Sequence, residues 1–378
     1  MEPVRVLHVV AYMGRGGLET MLMNYYRKID RSKIQFDFLV HRDFEADYDQ
    51  EIRDLGGRIY KLPRLNPLSK TYLKELDRFF KKHKEYKIVH SHLDCMAGIP
   101  LKYSKRNGVP IRIAHAHSSN QTKDKKYLLK LIYKRNIRKN ATDLFACARD
   151  AGRWMFGCDR FHVMNNAIDA GAYAVNAKTA AEVRQELGVS GDAFVVGHVG
   201  RFAPPKNHKF IVRIFAEVVK VKPDAFLLFV GDGDLRKETE ELTVDLGIRN
   251  RVIFAGMRTD VNRVLQAMDV FLFPSTYEGL PLSIIEAQAA GIPCLISDKV
   301  PIECRKTDLV RQLSLQESPD IWKDAVIAAG EMLKRDTSGE IIKAGFDIAS
   351  NAKWLEDFYF NKYDEIEKVS RGNKEWLD

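Results

Sequence analysis

Two glutamates, Glu278 and Glu286, frame the stretch Y-E-G-L-P-L-S-I-I-E-A (277–287), with seven residues between them. Leu280 precedes a proline, which steers it out of the helical region and makes Pro281 the expected first helical residue. Glu278 and Gly279 then lie on a loop, and Glu286 sits between one and two turns into a helix. Its neighbours Ile284, Ile285, Ala287, Ala289 and Ala290 are apolar, so its carboxylate needs donors. An unpaired buried charge costs on the order of several kcal/mol. One source of donors is local: S-I-I-E matches a capping box with Ser283 as N-cap. The other is a ligand, with Glu286 taking the vicinal hydroxyls of a ribose, as acidic residues do in nucleotide sites. Glu278 and the amides of Gly279 and Leu280 would then receive a sugar's hydroxyls. The two readings overlap, but only the second accounts for both acids and the turn between them.

A second set of groups suits phosphate. In G-R-F-A-P-P-K-N-H-K-F (200–210), Arg201 and Lys206 lie between an apolar run and a helix expected to begin near Asn207 or His208. Two fixed cations beside a helix N-terminus fit a diphosphate, since both cation and dipole favour negative charge there. Near the start, Y-M-G-R-G-G-L-E-T offers Gly14, Gly16 and Gly17, whose backbone can approach an anion closely. Its spacing is neither G-x-G-x-x-G nor a P-loop, which argues against a dinucleotide fingerprint and a Walker ATPase. The two D-x-D triplets, Asp47-Tyr48-Asp49 and Asp232-Gly233-Asp234, read as solvated turns rather than metal ligands.

Positioning these loops is the task of alternating elements. V-R-V-L-H-V-V (4–10) is a β-branched run followed by a turn and by L-E-T-M-L-M-N-Y-Y-R-K-I at helical spacing. Q-F-D-F-L-V, R-I-Y-K-L, K-I-V-H-S-H, I-R-I-A-H-A-H and T-D-L-F-A-C-A continue the series. After about residue 165 it restarts with A-F-V-V-G-H-V, A-F-L-L-F-V, R-V-I-F-A-G, D-V-F-L-F and I-P-C-L-I-S. Strands alternating with helices predict βαβ units and two successive parallel sheets. A weakly patterned tract, N-N-A-I-D-A-G-A-Y-A-V-N-A-K-T-A-A-E-V, reads as the connector. Trp354, Phe358 and Tyr359 predict a C-terminal helix docked on a core.

At 378 residues the chain exceeds one ordinary core. Residues 1–168 hold 33 Lys and Arg against 18 Asp and Glu, net +15, whereas 169–378 carry net −6. One half therefore faces something anionic: nucleic acid, membrane or a phosphorylated substrate. The segment K-D-K-K-Y-L-L-K-L-I-Y-K-R-N-I-R-K-N (123–140) reads as a basic amphipathic helix suited to an anionic membrane surface, or as a docked helix with a solvated face. Five scattered cysteines without C-x-x-C argue against a disulfide framework or a zinc site and fit a reducing cytoplasm. No apolar run reaches the length of a membrane span, and the N-terminus lacks the pattern of a signal peptide.

Together these residues resemble the retaining GT-B glycosyltransferases of family 4. The resemblance rests on the spacing of Glu278 and Glu286 and of Arg201 and Lys206. It extends to G-R-G-G-L-E-T, I-R-I-A-H-A-H-S, A-C-A-R-D-A-G-R-W-M-F-G and V-M-N-N-A-I-D, which are most similar to bacterial exopolysaccharide and capsule enzymes. It runs through nearly the whole chain. It implies an α/β GT-B architecture of two Rossmann-like, doubly wound parallel-sheet domains facing a cleft. Residues 1–168 would form the acceptor side, 169–352 the donor domain, and 353–378 a helix crossing back to the first domain. The resemblance puts Arg201 and Lys206 on the donor diphosphate, Glu286 on its ribose, and Glu278, Gly279 and Leu280 on the transferred sugar. Gly17 would face the phosphates, with Gly16 beside it, and A-H-A-H-S-S places a histidine near the sugar at His117. Many relatives carry Pro-Asn-Gly where this chain has Asn165-Asn166-Ala167, a departure that touches the hinge rather than the chemistry.

The implied reaction moves a sugar from a nucleotide donor, UDP-linked, to a growing glycan or lipid-linked acceptor, with retention. It needs neither metal nor cofactor, and His117 positions or stabilises charge. The implied location is cytoplasmic, peripheral at the inner face of the membrane, with no nucleic-acid partner. Two readings compete: a sugar-nucleotide epimerase of the same architecture, and a non-catalytic basic module for nucleic acid or regulation. The second lacks an RRM, OB or helix-turn-helix signature.

Overall fold

The computed structural model describes residues 2–118 and 127–372. They fall into two compact units, Met1–Ala167 with Ile348–Asp378, and Ile168–Asp347. The second cut lies five residues before the expected 352/353 border. Gly345 there adopts φ 82°, which ends the preceding helical turn and lets a new helix start at Ile348.

The first unit holds seven parallel strands: β1 (Val4–Val9), β2 (Ile34–Val40), β3 (Ile59–Lys61), β4 (Ile88–Ser91), β5 (Ile111–Ala116), β6 (Asp143–Ala146) and β7 (His162–Val163). Their order is β3-β2-β1-β4-β5-β6-β7. The second unit holds β8 (Val195–Val199), β9 (Phe226–Val230), β10 (Val252–Phe254), β11 (Val270–Phe273), β12 (Cys294–Ser297) and β13 (Val310–Leu313), ordered β10-β9-β8-β11-β12-β13. Helices cover both faces of such sheets, so central strands become nearly continuous apolar runs. All seven residues of β2 and all four of β11 are buried. β7 and β13 escaped the sequence reading because each is an edge strand. Both residues of β7 are exposed, and V-R-Q-L in β13 lacks an apolar run.

In each sheet the chain winds outward one way and then the other. The order reverses between β1 and β4, and again between β8 and β11. At such reversals the loops leaving the strand ends splay apart, which is where ligands of open α/β sheets sit.

The terminal helix Ile348–Gly372 packs on the first unit through buried Ala352, Leu355 and Tyr359, with Phe358 edge-on to Phe145 at 5.0 Å. Buried Glu356 in the same helix accepts a hydrogen bond from the Asp30 amide at 3.1 Å. Of the basic segment 123–140, residues 123–126 lie outside the described residues. The rest is two short helices, Tyr127–Lys134 and Ile137–Asn140, rather than one continuous helix. All five cysteines are free, and no described helix is long and apolar enough to cross a membrane.

Candidate functional site

In the second unit the loop after β8 is braced by the loop after β9. The amides of Gly200, Phe202 and Leu235 donate to the carbonyls of Val230, Asp232 and Phe202 at 2.9–3.1 Å. The fit requires glycine. At Gly231 (φ 133°) an added Cβ would lie 2.2 Å from the Gly200 carbonyl oxygen, and at Gly233 (φ 152°) 2.6 Å from that of Phe202. The triplet Asp232-Gly233-Asp234 is thus part of a brace under Arg201 and not merely a solvated turn. Arg201 itself projects outward, 68% exposed, with Nη2 3.8 Å from Asp234 Oδ2.

Pro204–Lys206 form a single 3-10 turn, Asn207 takes φ 56°, and the helix His208–Val221 follows, as the sequence predicts. The turn aims Lys206 across the sheet reversal. Its Nζ lies 2.7 Å from Glu278 Oε1 and 4.6 Å above the Phe273 ring. The Thr276 amide donates to the Pro205 carbonyl at 2.8 Å, tying the two loops together. Residues 72 positions apart thus meet as an ion pair at the ends of β8 and β11, with side chains 20% and 12% exposed.

The turn after Glu278 differs from expectation by one residue. Pro281, at ψ 117°, is the N-cap, and the helix runs Leu282–Ala289. Ser283 is inside the helix and cannot be its N-cap, so no capping box forms. Glu286 looks elsewhere: its Oε1 accepts from the Tyr173 hydroxyl at 2.9 Å. Burial pushes the Glu286 carboxyl above its ordinary range, and the bond from Tyr173 opposes that push. Among the described residues no other side chain or amide donates to it. Nor do the amides of Gly279 and Leu280 donate to any described backbone acceptor. A half-buried carboxylate and two idle amides, on the loop and helix that follow Glu278 of the ion pair, form a polar set that is incomplete as it stands.

In the first unit, Gly16 is the N-cap of the helix Gly17–Lys28, and Asp47 Oδ2 accepts from the Arg15 amide at 3.1 Å. The triplet Asp47-Tyr48-Asp49 therefore pins the Gly-rich turn, and Asp49 is buried. A Cβ at Gly17 would meet nothing within 4 Å, so packing does not demand glycine there. Glu19 follows in the first turn of the helix, where burial pushes its carboxyl up to about 7.

His117 ends a hydrogen-bonded row of imidazoles. His8 Nδ1 lies 3.0 Å from His92 Nε2, and His92 Nδ1 lies 2.9 Å from His117 Nε2. A second row runs from the Tyr359 hydroxyl to His90 Nδ1 (2.6 Å) and from His90 Nε2 to His115 Nδ1 (3.2 Å). Burial lowers all five imidazoles, His8 and His117 to about 3, so they are neutral near pH 7. Asp94 holds the end of the first row: its Oδ1 accepts from the His117 amide at 3.1 Å and its Oδ2 from the Ser118 hydroxyl at 3.2 Å. It does so at φ 45°, a conformation that non-glycine residues adopt only when the surroundings enforce it.

Within the second unit, then, Lys206, Glu278, Gly279, Leu280 and Glu286 gather at one end of the sheet, with Arg201 exposed on the loop leading to Lys206. Gly16, Gly17 and His117 belong to the first unit. Sequence reasoning missed Tyr173, Asp94, Glu19 and the imidazole rows. For the rows a signal existed. H-x-H occurs at 90–92 and again at 115–117, and the two-residue period of a strand puts both members of each pair on one face.

Two family models match the chain: Glycosyltransferase Family 4 over residues 15–172 and Glycosyl transferases group 1 over residues 180–305. The putative glycosyltransferase EpsF of Bacillus subtilis is 37% identical over 375 residues, covering 94% of this chain and 96% of that protein. The UDP-Gal:alpha-D-GlcNAc-diphosphoundecaprenol alpha-1,3-galactosyltransferase of Escherichia coli is 25% identical over 297 residues, 74% of this chain and 76% of its own length. Among solved structures, Anabaena HepE in complex with UDP superposes with a TM-score of 0.78 at 19% identity, covering 94% of this chain and all of that one.

Proposed function

The chain belongs to glycosyltransferase family 4, with the GT-B fold, and from that premise we propose that its second unit binds a nucleotide sugar whose glycosyl group passes to a glycan or lipid-diphosphate acceptor in bacterial surface-polysaccharide synthesis. The observation that carries this reading is the incomplete polar set around the Lys206–Glu278 pair. Lys206 and Arg201, beside the start of the helix His208–Val221, suit the diphosphate. Glu286 has one donor, the Tyr173 hydroxyl, and two vicinal ribose hydroxyls supply two more. Glu278 and the amides of Gly279 and Leu280 suit the hydroxyls of the transferred sugar. The amides of Gly16 and Gly17 offer a further place for an anion.

We assign the donor as a UDP-sugar, in line with the UDP complex of HepE and the UDP-Gal donor in the name of the Escherichia coli relative. Breaking a sugar–diphosphate bond requires stabilising the departing phosphate and the positive charge growing on the sugar. Cations and helix N-terminal amides meet the first need electrostatically, without metal. In the free protein Lys206 is engaged by Glu278, so the arriving phosphate must draw Lys206 toward itself, which frees Glu278 for the sugar. With the phosphate accepting the acceptor's proton on the leaving-group face, the anomeric configuration is retained and no dedicated base is needed. His117, kept neutral by burial, would serve as a polar positioning group rather than as an acid.

We further infer peripheral contact with the inner face of an anionic membrane. Leu128 and Ile132, four residues apart on the helix Tyr127–Lys134, are 74% and 58% exposed, with exposed Arg135, Arg138 and Lys139 following.

Calorimetry against a panel of nucleotide sugars tests the central reading. UDP-sugars should bind the native chain, and the Arg201, Lys206, Glu286 triple alanine variant should bind at least about 100-fold more weakly. Unchanged affinity in that variant overturns the site. NMR of the product linkage reports retention, and an isomerised nucleotide sugar formed without acceptor would favour an epimerase. Activity abolished by EDTA and restored by manganese would refute the metal-free assignment. Failure to sediment with anionic liposomes at low salt would remove the membrane contact.

A further inference from the structure

The imidazole rows of the first unit contain an arrangement that goes beyond the positioning role assigned to His117. His92, His115 and His117 bring ring nitrogens within 4.8 Å of one another. His115 Nε2 is buried and has no hydrogen-bond partner among the described residues. Its other nitrogen already faces His90. We propose that His92, His115 and His117 form a three-imidazole site for a late first-row divalent cation of the zinc type, bound through His92 Nδ1, His115 Nε2 and His117 Nε2.

Four observations converge on it. The first is ligand chemistry: imidazole alone, with no carboxylate or thiolate among the three, suits zinc, cobalt, nickel or copper and not magnesium or calcium. The second is spacing. With metal–nitrogen bonds of about 2.0–2.1 Å, tetrahedral angles put ring centroids about 5 Å apart. The observed centroid separations are 5.2 Å for His92–His115, 5.2 Å for His92–His117 and 4.1 Å for His115–His117. The last pair, stacked at 28°, must open and turn so that its lone pairs converge, while the direct 2.9 Å contact between His92 and His117 gives way to two bonds to the cation.

The third is the outer layer. A metal-bound imidazole keeps its proton on the far nitrogen and needs an acceptor there. His92 Nε2–H can donate to His8 Nδ1, and His115 Nδ1–H to His90 Nε2. His90 Nδ1–H then donates to the Tyr359 hydroxyl oxygen. These tautomers leave His92 Nδ1 and His115 Nε2 as bare lone pairs; His117, whose Nε2–H donates to His92 Nδ1 in the free protein, must shift its proton to Nδ1 to bind the cation. The fourth is access: His92 and His115 are buried, whereas His117 is only partly so and gives the cation its way in. Three protein ligands leave a fourth position for water. The proposal routes no step of sugar transfer through the cation.

The test uses the full chain without a histidine tag, stripped with chelator, and two probes. Zinc is titrated by calorimetry, and cobalt(II) is followed by its visible absorption. One equivalent of zinc per chain is expected, with a rise in Tm, and cobalt should give the intense bands of a four-coordinate nitrogen site. His115→Phe and His92→Asn should each weaken zinc binding at least about 100-fold. His83→Gln, which changes a histidine paired with Glu85 outside the cluster, should leave it unaltered. If zinc binds the His92→Asn, His115→Phe double variant as tightly as the native chain, the proposal is wrong. Should the variants fail to fold, the native chain still decides. No stoichiometric zinc uptake and no four-coordinate cobalt spectrum would mean that the histidines serve only as hydrogen-bonded filling.

Discussion

Asp37 on β2 and Glu286 in the helix Leu282–Ala289 are both carboxylates set among apolar side chains, one in each unit. Asp37 is fully enclosed and has four donors: Arg5 Nε and Nη2 at 2.6 and 2.5 Å, the Tyr86 hydroxyl at 2.7 Å and the Arg58 amide at 2.7 Å. Glu286 has one, from Tyr173. A carboxylate offers about four lone-pair positions, and at half-buried Glu286 most of them have no protein donor among the described residues. Saturation at Asp37 therefore reads as architecture, a charge the fold has neutralised for its own sake. Deficiency at Glu286 reads as a place kept for a ligand.

A parallel contrast runs through the central strands. His8 and His198 are each the penultimate residue of the first strand of their sheet. β4 gives His8 a histidine neighbour, His90, whereas β11 surrounds His198 with Phe271 and Phe273. His198 Nδ1 is satisfied by the Leu272 carbonyl at 2.9 Å. Similar topology thus supports an imidazole network in one unit and an aromatic sleeve in the other, so the chemistry of each strand end is set by the neighbouring strand.

The largest expected effect breaks the saturated site. Arg5→Ala strands a buried charge and should destabilise the first unit by about 3–5 kcal/mol in urea unfolding. Donor affinity, a property of the second unit in this reading, should remain. Little change in stability would mean that counting donors does not separate the two carboxylates.

Next comes the ion pair beside the deficient site. Lys206→Ala should lower kcat for sugar transfer by about 10²–10³-fold, the range for losing one preorganised group at a developing charge. Initial rates at saturating donor are the measurement. A variant that loses only affinity, with kcat intact, would show that Lys206 binds ground and transition states alike.

Glu286 itself sharpens the comparison by making affinity and stability move in opposite directions. Glu286→Gln should weaken donor binding about 10–100-fold, the worth of hydrogen bonds to a charged group. It should also raise Tm at neutral pH. Burial holds the folded carboxyl above its ordinary value, so the folded state binds more protons than the unfolded one in between, and stability falls as pH rises through that interval. The gain in Tm should therefore be absent below the ordinary carboxylate range, grow with pH and then level off. A loss of Tm at pH 8 would show Glu286 to be structural.

Much of this was legible in the sequence. Both sheets followed from apolar runs alternating with helical spacing, and residue type and spacing singled out Arg201, Lys206 and Glu278 on loops and Glu286 in a helix. What stayed hidden depends on tertiary approach. Nothing local says that Lys206 and Glu278 pair. Tyr173 lies in the small-residue connector N-N-A-I-D-A-G-A-Y, which reads as linker because its one aromatic has no periodic companions. The capping box at S-I-I-E matched a pattern, but the pattern was overridden when Pro281 took the N-cap. Asp94 is invisible until its φ is seen. β7 and β13 were lost because edge strands need not be apolar.

Tyr173→Phe is the smallest change and the sharpest test of what Tyr173 is for. The variant keeps the ring and removes one hydroxyl, so a packing role predicts no effect. If the hydroxyl positions Glu286, its loss should weaken donor binding by about 2–10-fold, the usual range for one hydrogen bond. The pH profile distinguishes this from a general loosening. The hydroxyl stabilises the charged carboxylate, so removing it moves the carboxyl still further above its ordinary range. The pH at which donor binding reaches half its plateau should shift upward in Tyr173→Phe, and the effect should vanish in the Glu286→Gln background because nothing is left there to titrate. A fall in affinity that is uniform across pH, or that persists once Glu286 has been replaced by glutamine, would place Tyr173 outside the site's chemistry.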